Sequence, residues 1–361
     1  MGGRRPTLAG LRRQIDRIDQ QLVKLINQRA KVALEIGKLK DSEGRAVYSP
    51  GREEAVLEAV AARNRGPLDN RCLRSVFREI ISGSRALEKV LRVAYLGPQY
   101  TYSHLALLHR FGDSVEQVPV GTIAAVFEEV NRGHANFGLV PLENSTDGRV
   151  ADTLEMFTRL PVRICGEVQL RIHHALLGQC PRTEVAEVYS KPQALSQCRN
   201  WLAKHLAGTR SIEVTSTATA AKLALEKPGA AAIASVQAGA HYGLNVLVEN
   251  IEDNPSNMTR FAVIGNESAE RTGNDKTALM FGIEHRPGSL VDAMSVFKRN
   301  RLNMTWIESF PINQPEGGYL FFVEIDGHET DLRPRRAFAA LEKRTLRLEI
   351  LGSFPRSAPV G

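Results

Sequence analysis

Cationic side chains are concentrated in the first quarter of this 361-residue chain. Residues 1–90 contain 19 Lys and Arg against 11 Asp and Glu, whereas the rest of the chain contains 28 against 29. Arg29 occupies an apolar position of a helical pattern, where burial of an arginine is costly unless an anion binds it. The alternative is that its side chain reaches solvent or pairs with an acidic side chain. The charge excess predicts either a nucleic-acid surface or a site for a small anionic substrate.

Clusters of hydroxyl and amide side chains form a second set of candidate functional residues. The clusters lie at 101–103, 143–146, 190–193 and 215–217, each near the end of a predicted strand. Each cluster alone is typical of turns and helix caps. Four of them at strand-to-helix junctions predict a cleft built from hydroxyls and helix N-termini, which suits an anion.

Several classes of protein are disfavoured by the sequence. Neither a Walker loop nor a GxGxxG motif is present, so we expect no nucleotide cofactor. The four cysteines show no metal-ligand spacing and are typical of reduced thiols in a cytoplasmic protein, so we expect no metal. No segment has the ~18 apolar residues of a membrane helix, and no apolar core follows Met1–Pro6 as in a signal peptide.

The first segment is predicted to be helical. Apolar residues recur every three or four positions from Leu8 to Leu39, which predicts one helix of ~50 Å over Leu8–Lys40. Further helices are expected at Pro50–Asn64 and, after the Gly66-Pro67 break, at 68–91. The long apolar seam cannot be covered by so small a domain, so we expect a second copy of the chain to cover it.

The middle segment is predicted to be α/β. Short apolar runs alternate with helical patterns, which indicates a largely parallel sheet, divisible into two lobes. Strands are predicted at 93–96, 135–141, 162–170, 187–189, 213–215, 230–234 and 259–264, with helices at 123–131, 193–206 and 218–225.

The last segment is predicted to be a small α+β domain with βαββαβ order, the ferredoxin-like arrangement. It follows a polar linker, Ser268–Asn274. Strands are expected at 277–283, 302–310, 319–325 and 346–351, helices near 289–300 and 333–343, and a turn at 315–318.

The first 90 residues resemble the all-helical chorismate mutase domain that is fused to prephenate dehydratase in bacterial P-proteins. The resemblance rests on Leu11-Arg12 with Ile15 and Asp19, Arg29, Gly37–Lys40, Arg52-Glu53 and Ser84–Glu88. It implies that Arg29 and the other subunit's Arg12 bind the two carboxylates of chorismate. It also implies that Lys40 faces the ether oxygen, that Arg52 and Ser84 assist binding, and that Glu53 holds the hydroxyl.

The chemistry of such a site agrees with its cationic composition. A Claisen rearrangement needs a folded diacid and donors aimed at the oxygen that gains charge, and no proton transfer. Glu88 stands where many members of the family have a donating Gln. Because a carboxyl must be protonated to donate, we expect a mutase rate that falls as pH rises through the pKa of Glu88.

Residues 92–265 resemble the prephenate dehydratase domain. The resemblance rests on Val140–Gly148, Ser190–Ala194 with Gln197-Cys198, Tyr242–Leu244 and Asn257–Phe261. It implies a two-lobed fold like a periplasmic binding protein, with Thr259 as the hydroxyl that helps the ring hydroxyl leave. The other site residues it implies are Thr101, Ser103, Glu143, Asn144, Ser145, Ser190, Gln197, Ser216, Arg260 and Phe261, with Arg260 as either a carboxylate partner or a structural partner. Tyr102 stands where Phe is common, a change that we expect to matter little.

The C-terminal segment resembles an ACT domain, which binds an amino acid at an interface between copies. The resemblance rests on Arg286–Leu290, Asn303–Thr305 and Glu308–Pro311. In P-proteins the ligand is phenylalanine, and the binding residues implied here are Pro287, Gly288, Ser289, Leu290, Val291, Asn303, Glu308, Ser309 and Pro311. Phe310 replaces the arginine that usually precedes the proline, a change that bears on the strength and specificity of phenylalanine binding. The alternative is a domain that only dimerises.

The leading hypothesis is a bifunctional enzyme of phenylalanine biosynthesis that converts chorismate to prephenate and prephenate to phenylpyruvate. We expect mutase, dehydratase and ACT domains at 1–91, 92–268 and 276–353, feedback by phenylalanine, a homodimer, and no nucleic-acid or membrane partner. Two alternatives are a second site that prefers arogenate and a non-catalytic small-molecule sensor. The Thr259–Phe261 motif beside an intact set of mutase cations disfavours the sensor.

Overall fold

The computed structural model describes residues 7–43, 47–311 and 318–360. The chain divides into two compact units: one contains residues up to Leu91 together with Phe111–Val115, and the other contains the remainder. The predictions for Met1–Pro6, for part of the loop after the first helix and for most of the 315–318 turn lie outside the described residues.

The first unit contains three helices, as predicted: α1 (Leu8–Ser42), α2 (Pro50–Arg63) and α3 (Asn70–Ala86). Side-chain oxygens cap two of them, because Thr7 accepts from the backbone N–H of Gly10 and Asp69 accepts from that of Cys72. Across the described residues, no helix is both long enough and apolar enough to span a bilayer.

The apolar seam of α1 is exposed along its whole length in the single chain. Its residues are Leu8, Leu11, Ile15, Ile18, Leu22, Leu25, Val32, Ile36 and Leu39, each 46% exposed or more. Among the residues of this 35-residue helix, only Gly37 is buried. A continuous apolar face of this length is typical of a surface that packs against another helix.

The second unit begins with two α/β lobes. In chain order their elements are β1 (Arg92–Leu96), α4 (Tyr102–Phe111), β2 (Glu116–Val120), α5 (Ile123–Asn131), β3 (Phe137–Asn144), β4 (Gly148–Arg149), α6 (Ala151–Arg159), β5 (Arg163–Arg171), β6 (Ala175–Gly178), a 3-10 turn (Arg182–Glu184), β7 (Glu187–Ser190), α7 (Pro192–Gln197), α8 (Arg199–His205), β8 (Arg210–Glu213), α9 (Thr217–Glu226), β9 (Ala230–Ala234), α10 (Val236–Tyr242), β10 (Asn245–Val248) and β11 (Met258–Gly265).

Each lobe has its own sheet, and both sheets are mixed rather than largely parallel. The first has the order β16-β5-β11-β3-β1-β2, with β4 beside β3 and with β16 formed by Pro359–Val360. The second has the order β10-β6-β9-β7-β8. The prediction of a largely parallel sheet is wrong because β11 runs antiparallel to both its neighbours and β6 runs antiparallel to β9 and β10.

The C-terminal segment has the predicted βαββαβ order. Its elements are β12 (Asp275–Ile283), α11 (Ser289–Arg299), β13 (Met304–Pro311), β14 (Tyr319–Asp326), α12 (Leu332–Glu342) and β15 (Arg347–Pro355). The four strands form an antiparallel sheet of order β13-β14-β12-β15, and both helices pack on one face through Phe297 and Leu341.

The other face of this C-terminal sheet packs against the first lobe. Met280, Phe322 and Phe354 share one buried core with Ala262 on β11. The approach is closest at Gly352, where an added Cβ would lie 2.2 Å from the backbone oxygen of Ile164. The C-terminal sheet and the first lobe therefore share one hydrophobic core.

Candidate active sites

The helical unit holds a group of cationic side chains. Arg29 Nη1 donates to Ser84 Oγ over 3.0 Å, and Ser84 Oγ itself donates to the backbone oxygen of Ile80. Burial lowers the pKa of Arg29, and the nearby positive charge of Arg52 lowers it further. Two neighbouring guanidinium groups favour binding of an anion, because the anion relieves their repulsion.

Glu88 lies near the other end of this group, packed against a glycine of α1. An added Cβ at Gly37 would lie 2.5 Å from Glu88 Cγ and Cδ, so the Glu88 side chain in this position packs directly on the glycine. Burial raises the pKa of Glu88, although Lys40 and Arg85 oppose the rise. Its buried Oε2 has no hydrogen-bond partner among the described residues. These conditions favour a protonated carboxyl that can donate a hydrogen bond.

Two predicted mutase residues stand apart from the rest. The Glu53 carboxylate pairs with Arg85 at 2.5 Å. Arg12 is exposed and precedes Arg29 by 17 positions on the same helix, which is ~25 Å at about 1.5 Å per residue. A single chain therefore groups the predicted cations near Ser84 and Glu88 and leaves Arg12 far away.

The second unit contains a cavity of about 510 Å³ lined by residues of both lobes. All four predicted hydroxyl and amide clusters contribute to its lining. The lining includes the predicted site residues Thr101, Ser103, Asn144, Gln197, Ser216, Thr259 and Phe261.

Three helices of nine or ten residues begin at this cavity, which makes it favourable for an anion. They are α4, α5 and α9, and their first residues, Tyr102, Ile123 and Thr217, all line it. The charged side chains of the lining are one cation, Lys191, and one carboxylate, Asp152. Helix N-termini carry partial positive charge and free N–H groups, so the cavity combines several sources of positive potential.

Thr259 and Asn144 lie opposite each other on the paired strands β11 and β3. Asn144 Nδ2 donates to Thr259 Oγ1 over 2.8 Å. Because the threonine oxygen accepts this bond, its own hydrogen stays available for a group in the cavity.

Four of the predicted site residues, Glu143, Ser145, Ser190 and Arg260, do not line this cavity. Glu143 and Arg260 adjoin Asn144 and Thr259 along their strands, and successive side chains of a strand point to opposite faces. Ser190 is fully buried and donates to the backbone oxygen of Ile233 over 2.6 Å. Ser145 Oγ accepts from the backbone N–H of Met258.

Arg260 instead belongs to a buried ionic cluster behind the cavity. It pairs with Glu143 at 3.0 Å, with Glu167 at 3.2 Å and with Glu324 at 2.7 Å. Lys276 pairs with the latter two glutamates at 2.8 and 3.3 Å. Burial alone would lower the pKa of Arg260, but Glu324 and Glu167 raise it above its usual value. The cluster joins the first lobe to the C-terminal sheet, which contributes Glu324 and Lys276.

Several residues that line the cavity or bond to its lining were missed by the sequence analysis. Asp147 accepts from Gln193 and from Gln197, and Asn257 donates to Gln197. Both residues lie within motifs used for the resemblance, so the motifs could have identified them. His174 also lines the cavity, and its only sequence signal is a His-His pair just after a strand. The Tyr102 hydroxyl, expected to matter little, lies 2.9 Å from His174 Nδ1.

A second, smaller cavity of about 230 Å³ lies at one end of the C-terminal sheet. Gly288, Leu290 and Val291 contribute to its lining, together with residues where β12 ends and β14 begins. Ser289 is buried beside it, whereas Pro287 is exposed. The other predicted ligand residues, Asn303, Glu308, Ser309 and Pro311, lie on or just before the edge strand β13 and do not line this cavity. Pro311 pairs with Tyr319, a lining residue.

Comparison with known proteins matches the helical segment and the two α/β lobes to two enzyme families. The family model for prephenate dehydratase matches residues 93–269, and that for chorismate mutase type II matches residues 11–89. The bifunctional chorismate mutase/prephenate dehydratase of Aquifex aeolicus (strain VF5) is 41% identical over 355 residues, which cover 97% of this chain and 98% of that protein. This chain belongs to the bifunctional chorismate mutase/prephenate dehydratase family. The prediction of a two-activity enzyme is confirmed.

Further relatives of this chorismate mutase/prephenate dehydratase support the assignment. The bifunctional protein of Stutzerimonas stutzeri is also 41% identical, over 97% of this chain and 98% of its own length. Among solved structures, the prephenate dehydratase of Arthrobacter aurescens in complex with L-Phe is 33% identical, with a TM-score of 0.70. The match covers 74% of this chain and 90% of that one.

Proposed function

We propose that dehydration and decarboxylation of prephenate take place in the 510 Å³ cavity, with Thr259 as the donor to the departing ring hydroxyl. The observation that carries this proposal is the hydrogen bond from Asn144 Nδ2 to Thr259 Oγ1. It leaves the threonine with a hydrogen to donate and fixes the position of the oxygen. The helix N-termini and Lys191 provide the positive potential that a dicarboxylate needs.

The reaction requires little more than this positioning. The ring C–O bond and the C–C bond to the ring carboxylate break, the electron pair of the latter completes the aromatic ring, and CO2 and water leave. Hydroxide is a poor leaving group, so one proton must reach the departing oxygen. Because an alcohol is a weak acid, Thr259 acts by donating a hydrogen bond, and solvent supplies the proton consumed in each turnover.

For the mutase, we propose a site completed by a second copy of the chain in a cytoplasmic homodimer. Arg29, Lys40, Ser84 and Glu88 come from one chain, and Arg12 comes from the other. The ~25 Å along α1 between Arg12 and Arg29 favours this arrangement, as does the exposed apolar seam on the same helix. In a two-fold dimer, each α1 would then serve both sites.

Subunit mixing tests this shared site. Arg12→Ala and Arg29→Ala chains are each expected to lack mutase activity. Co-expressed, half of the dimers would be mixed and would retain one intact site, so about one quarter of the parental activity should return. Absence of any recovery, with mixed dimers demonstrated by two affinity tags, would contradict a site shared between chains.

We also propose that the C-terminal segment is an ACT domain that transmits phenylalanine binding to the dehydratase. Arg149 pairs with Glu308 at 2.9 Å, and it lies two residues after Asp147, which accepts from the cavity residues Gln193 and Gln197. The ionic cluster of Arg260 provides a second connection, beside Thr259. The similar structure of the Arthrobacter enzyme contains L-Phe, which supports phenylalanine as the ligand.

One assay addresses the whole proposal. Purified protein is supplied with chorismate, and chorismate loss and phenylpyruvate formation are followed with and without phenylalanine. Formation of phenylpyruvate that phenylalanine suppresses is the expected result. Prephenate that accumulates without phenylpyruvate would indicate that the second site prefers arogenate, to be checked by supplying arogenate directly. Phenylpyruvate formation insensitive to phenylalanine would overturn only the regulatory part.

A further inference from the structure

A chain of buried amides connects Thr259 to His174, and its orientation is fixed at one end by the backbone. Asn144 Oδ1 accepts from the backbone N–H groups of Thr146 and Asp147, at 2.9 and 3.1 Å. A backbone N–H can only donate, so the amide nitrogen of Asn144 must face the opposite way. There it donates to Thr259 Oγ1 and to Asn257 Oδ1.

The orientations of the next two amides, those of Asn257 and Gln197, follow from the orientation of Asn144. Asn257 Oδ1 accepts from Asn144, so Asn257 Nδ2 is free to donate to Gln197 Oε1, 2.9 Å away. Gln197 Nε2 donates to Asp147 Oδ2 over 2.8 Å. A carboxylate can only accept, so Asp147 and Asn257 require the same orientation of Gln197.

The histidine tautomer is the last element of this chain. His174 Nε2 lies 2.9 Å from Gln197 Oε1, an oxygen that accepts, so this nitrogen must carry a hydrogen. His174 is 2% exposed, and burial lowers its pKa, which favours the neutral ring. In that form Nδ1 is an acceptor. The Tyr102 hydroxyl lies 2.9 Å from it and 2.7 Å from the backbone oxygen of His173, so its single hydrogen can reach either acceptor.

We propose that His174 is a positioning residue of the dehydratase, which acts as a neutral Nε2–H imidazole that donates to Gln197. This donation holds Gln197 from the side opposite Asp147, and through Asn257 it supports the Asn144 amide that leaves the hydrogen of Thr259 directed away from the protein amides. The inference deepens the proposed dehydratase function and rests on the role of Thr259 there.

The opposite tautomer conflicts with the rest of the chain. With the hydrogen on Nδ1, the Nε2 lone pair would face the Gln197 oxygen at hydrogen-bond distance. If Gln197 turned over to relieve this contact, its oxygen would face Asp147 Oδ2 instead. Either arrangement leaves buried acceptors facing each other without a hydrogen, which is costly in a site of low polarity.

The tautomer can be measured without reference to activity. Protein labelled with 15N in histidine is examined by NMR at neutral pH, and the ring signals of His174 are assigned by their loss in His174→Gln. We expect a neutral Nε2–H ring. We expect Tyr102→Phe, which removes the partner of Nδ1, to admit some of the other tautomer. A charged ring or a dominant Nδ1–H ring in the parent protein would overturn the proposal.

Kinetics test the consequence with a matched pair of variants. His174→Leu removes the donor, whereas His174→Gln can present an amide N–H near the position of Nε2. We expect His174→Leu to lower the dehydratase kcat by about 10²-fold, as for a misplaced reacting group, and His174→Gln to recover most of it. Equal loss in both variants, or full activity in His174→Leu, would overturn the positioning role.

Two controls separate this inference from the proposed function. Mutase activity and the fluorescence of Trp201 and Trp306, both in the second unit, report whether each variant is folded. Thr259→Val tests the donor itself. An active Thr259→Val enzyme would remove the proposed mechanism, whatever the tautomer. An inactive Thr259→Val beside a fully active His174→Leu would remove only the role of His174.

Discussion

The two proposed active sites of this enzyme differ in where their charged side chains lie. In the mutase site, cations from α1 and α2 lie near the proposed substrate position, and Arg29 contacts only the hydroxyl of Ser84 among the hydrogen bonds described for it. In the dehydratase, the strongest charges lie behind the cavity in the cluster around Arg260, and neutral amides and hydroxyls surround Thr259. The first reaction needs a folded dianion, whereas the second needs one oriented donor.

A substitution in the ionic cluster should produce the largest effect. Arg260→Met leaves the buried Glu167 and Glu324 and the part-exposed Glu143 with Lys276 as the remaining cation of the cluster. We expect the free energy of unfolding of the second unit to fall by about 3–5 kcal/mol, the usual cost of breaking a buried ion pair. Urea unfolding followed by tryptophan fluorescence measures it selectively, because Trp201 and Trp306 both lie in this unit.

Arg149→Met is the matched control, because Arg149 also pairs with a glutamate of the C-terminal sheet but is 39% exposed. It should cost less than about 1 kcal/mol. Equal urea midpoints for the two variants would show that the Arg260 cluster has no special structural role, and the contrast between the two sites would fail.

Removal of the dehydratase donor should have the next largest effect. Thr259→Val keeps the shape of the side chain and removes its hydroxyl. We expect the dehydratase kcat to fall by about 10²–10³-fold, as when one donor to a developing charge is lost. Mutase activity should be unchanged. Thr259→Ser, which retains the hydroxyl, should remain far more active, and a Ser variant as slow as Val would contradict the donor role.

The smallest expected effect concerns Glu88 and the pH dependence of the mutase. Only the protonated carboxyl donates, so the mutase rate should fall about tenfold per pH unit above the raised pKa of Glu88. Glu88→Gln donates at every pH and should give a flat profile. The dehydratase rate of the same samples is the reference. Parallel profiles for parent and variant would assign the pH dependence to another group.

Elements with strong local signals were predicted closely. The strand at 230–234 and the helix at 123–131 match β9 and α5 residue for residue, because apolar runs and caps determine them. The 193–206 helix is divided at Cys198, and the 213–215 strand lies at 210–213. Antiparallel pairing of β11 depends on contacts distant in sequence, which local patterns do not contain.

The site residues show the same limit. Motifs identified Thr259, Asn144 and Gln197, since each belongs to a distinctive string. They do not distinguish the two faces of β11, so the resemblance leaves open whether Arg260 is a carboxylate partner or a structural one, whereas strand alternation turns its side chain away from that of Thr259. His174 is adjacent to the amides only through the fold, and no spacing in the sequence indicates it.

The close approach at Gly352 bears on how this protein could be recombined. Exchange of whole domains is one way to give an enzyme new properties. Here the interface includes a contact without room for a Cβ, a common apolar core and shared counterions. A chimaera that exchanges the C-terminal domain would therefore have to bring a glycine at position 352 and acidic and basic partners for Arg260 and Glu167, or it would disrupt the core that this domain shares with the dehydratase lobe.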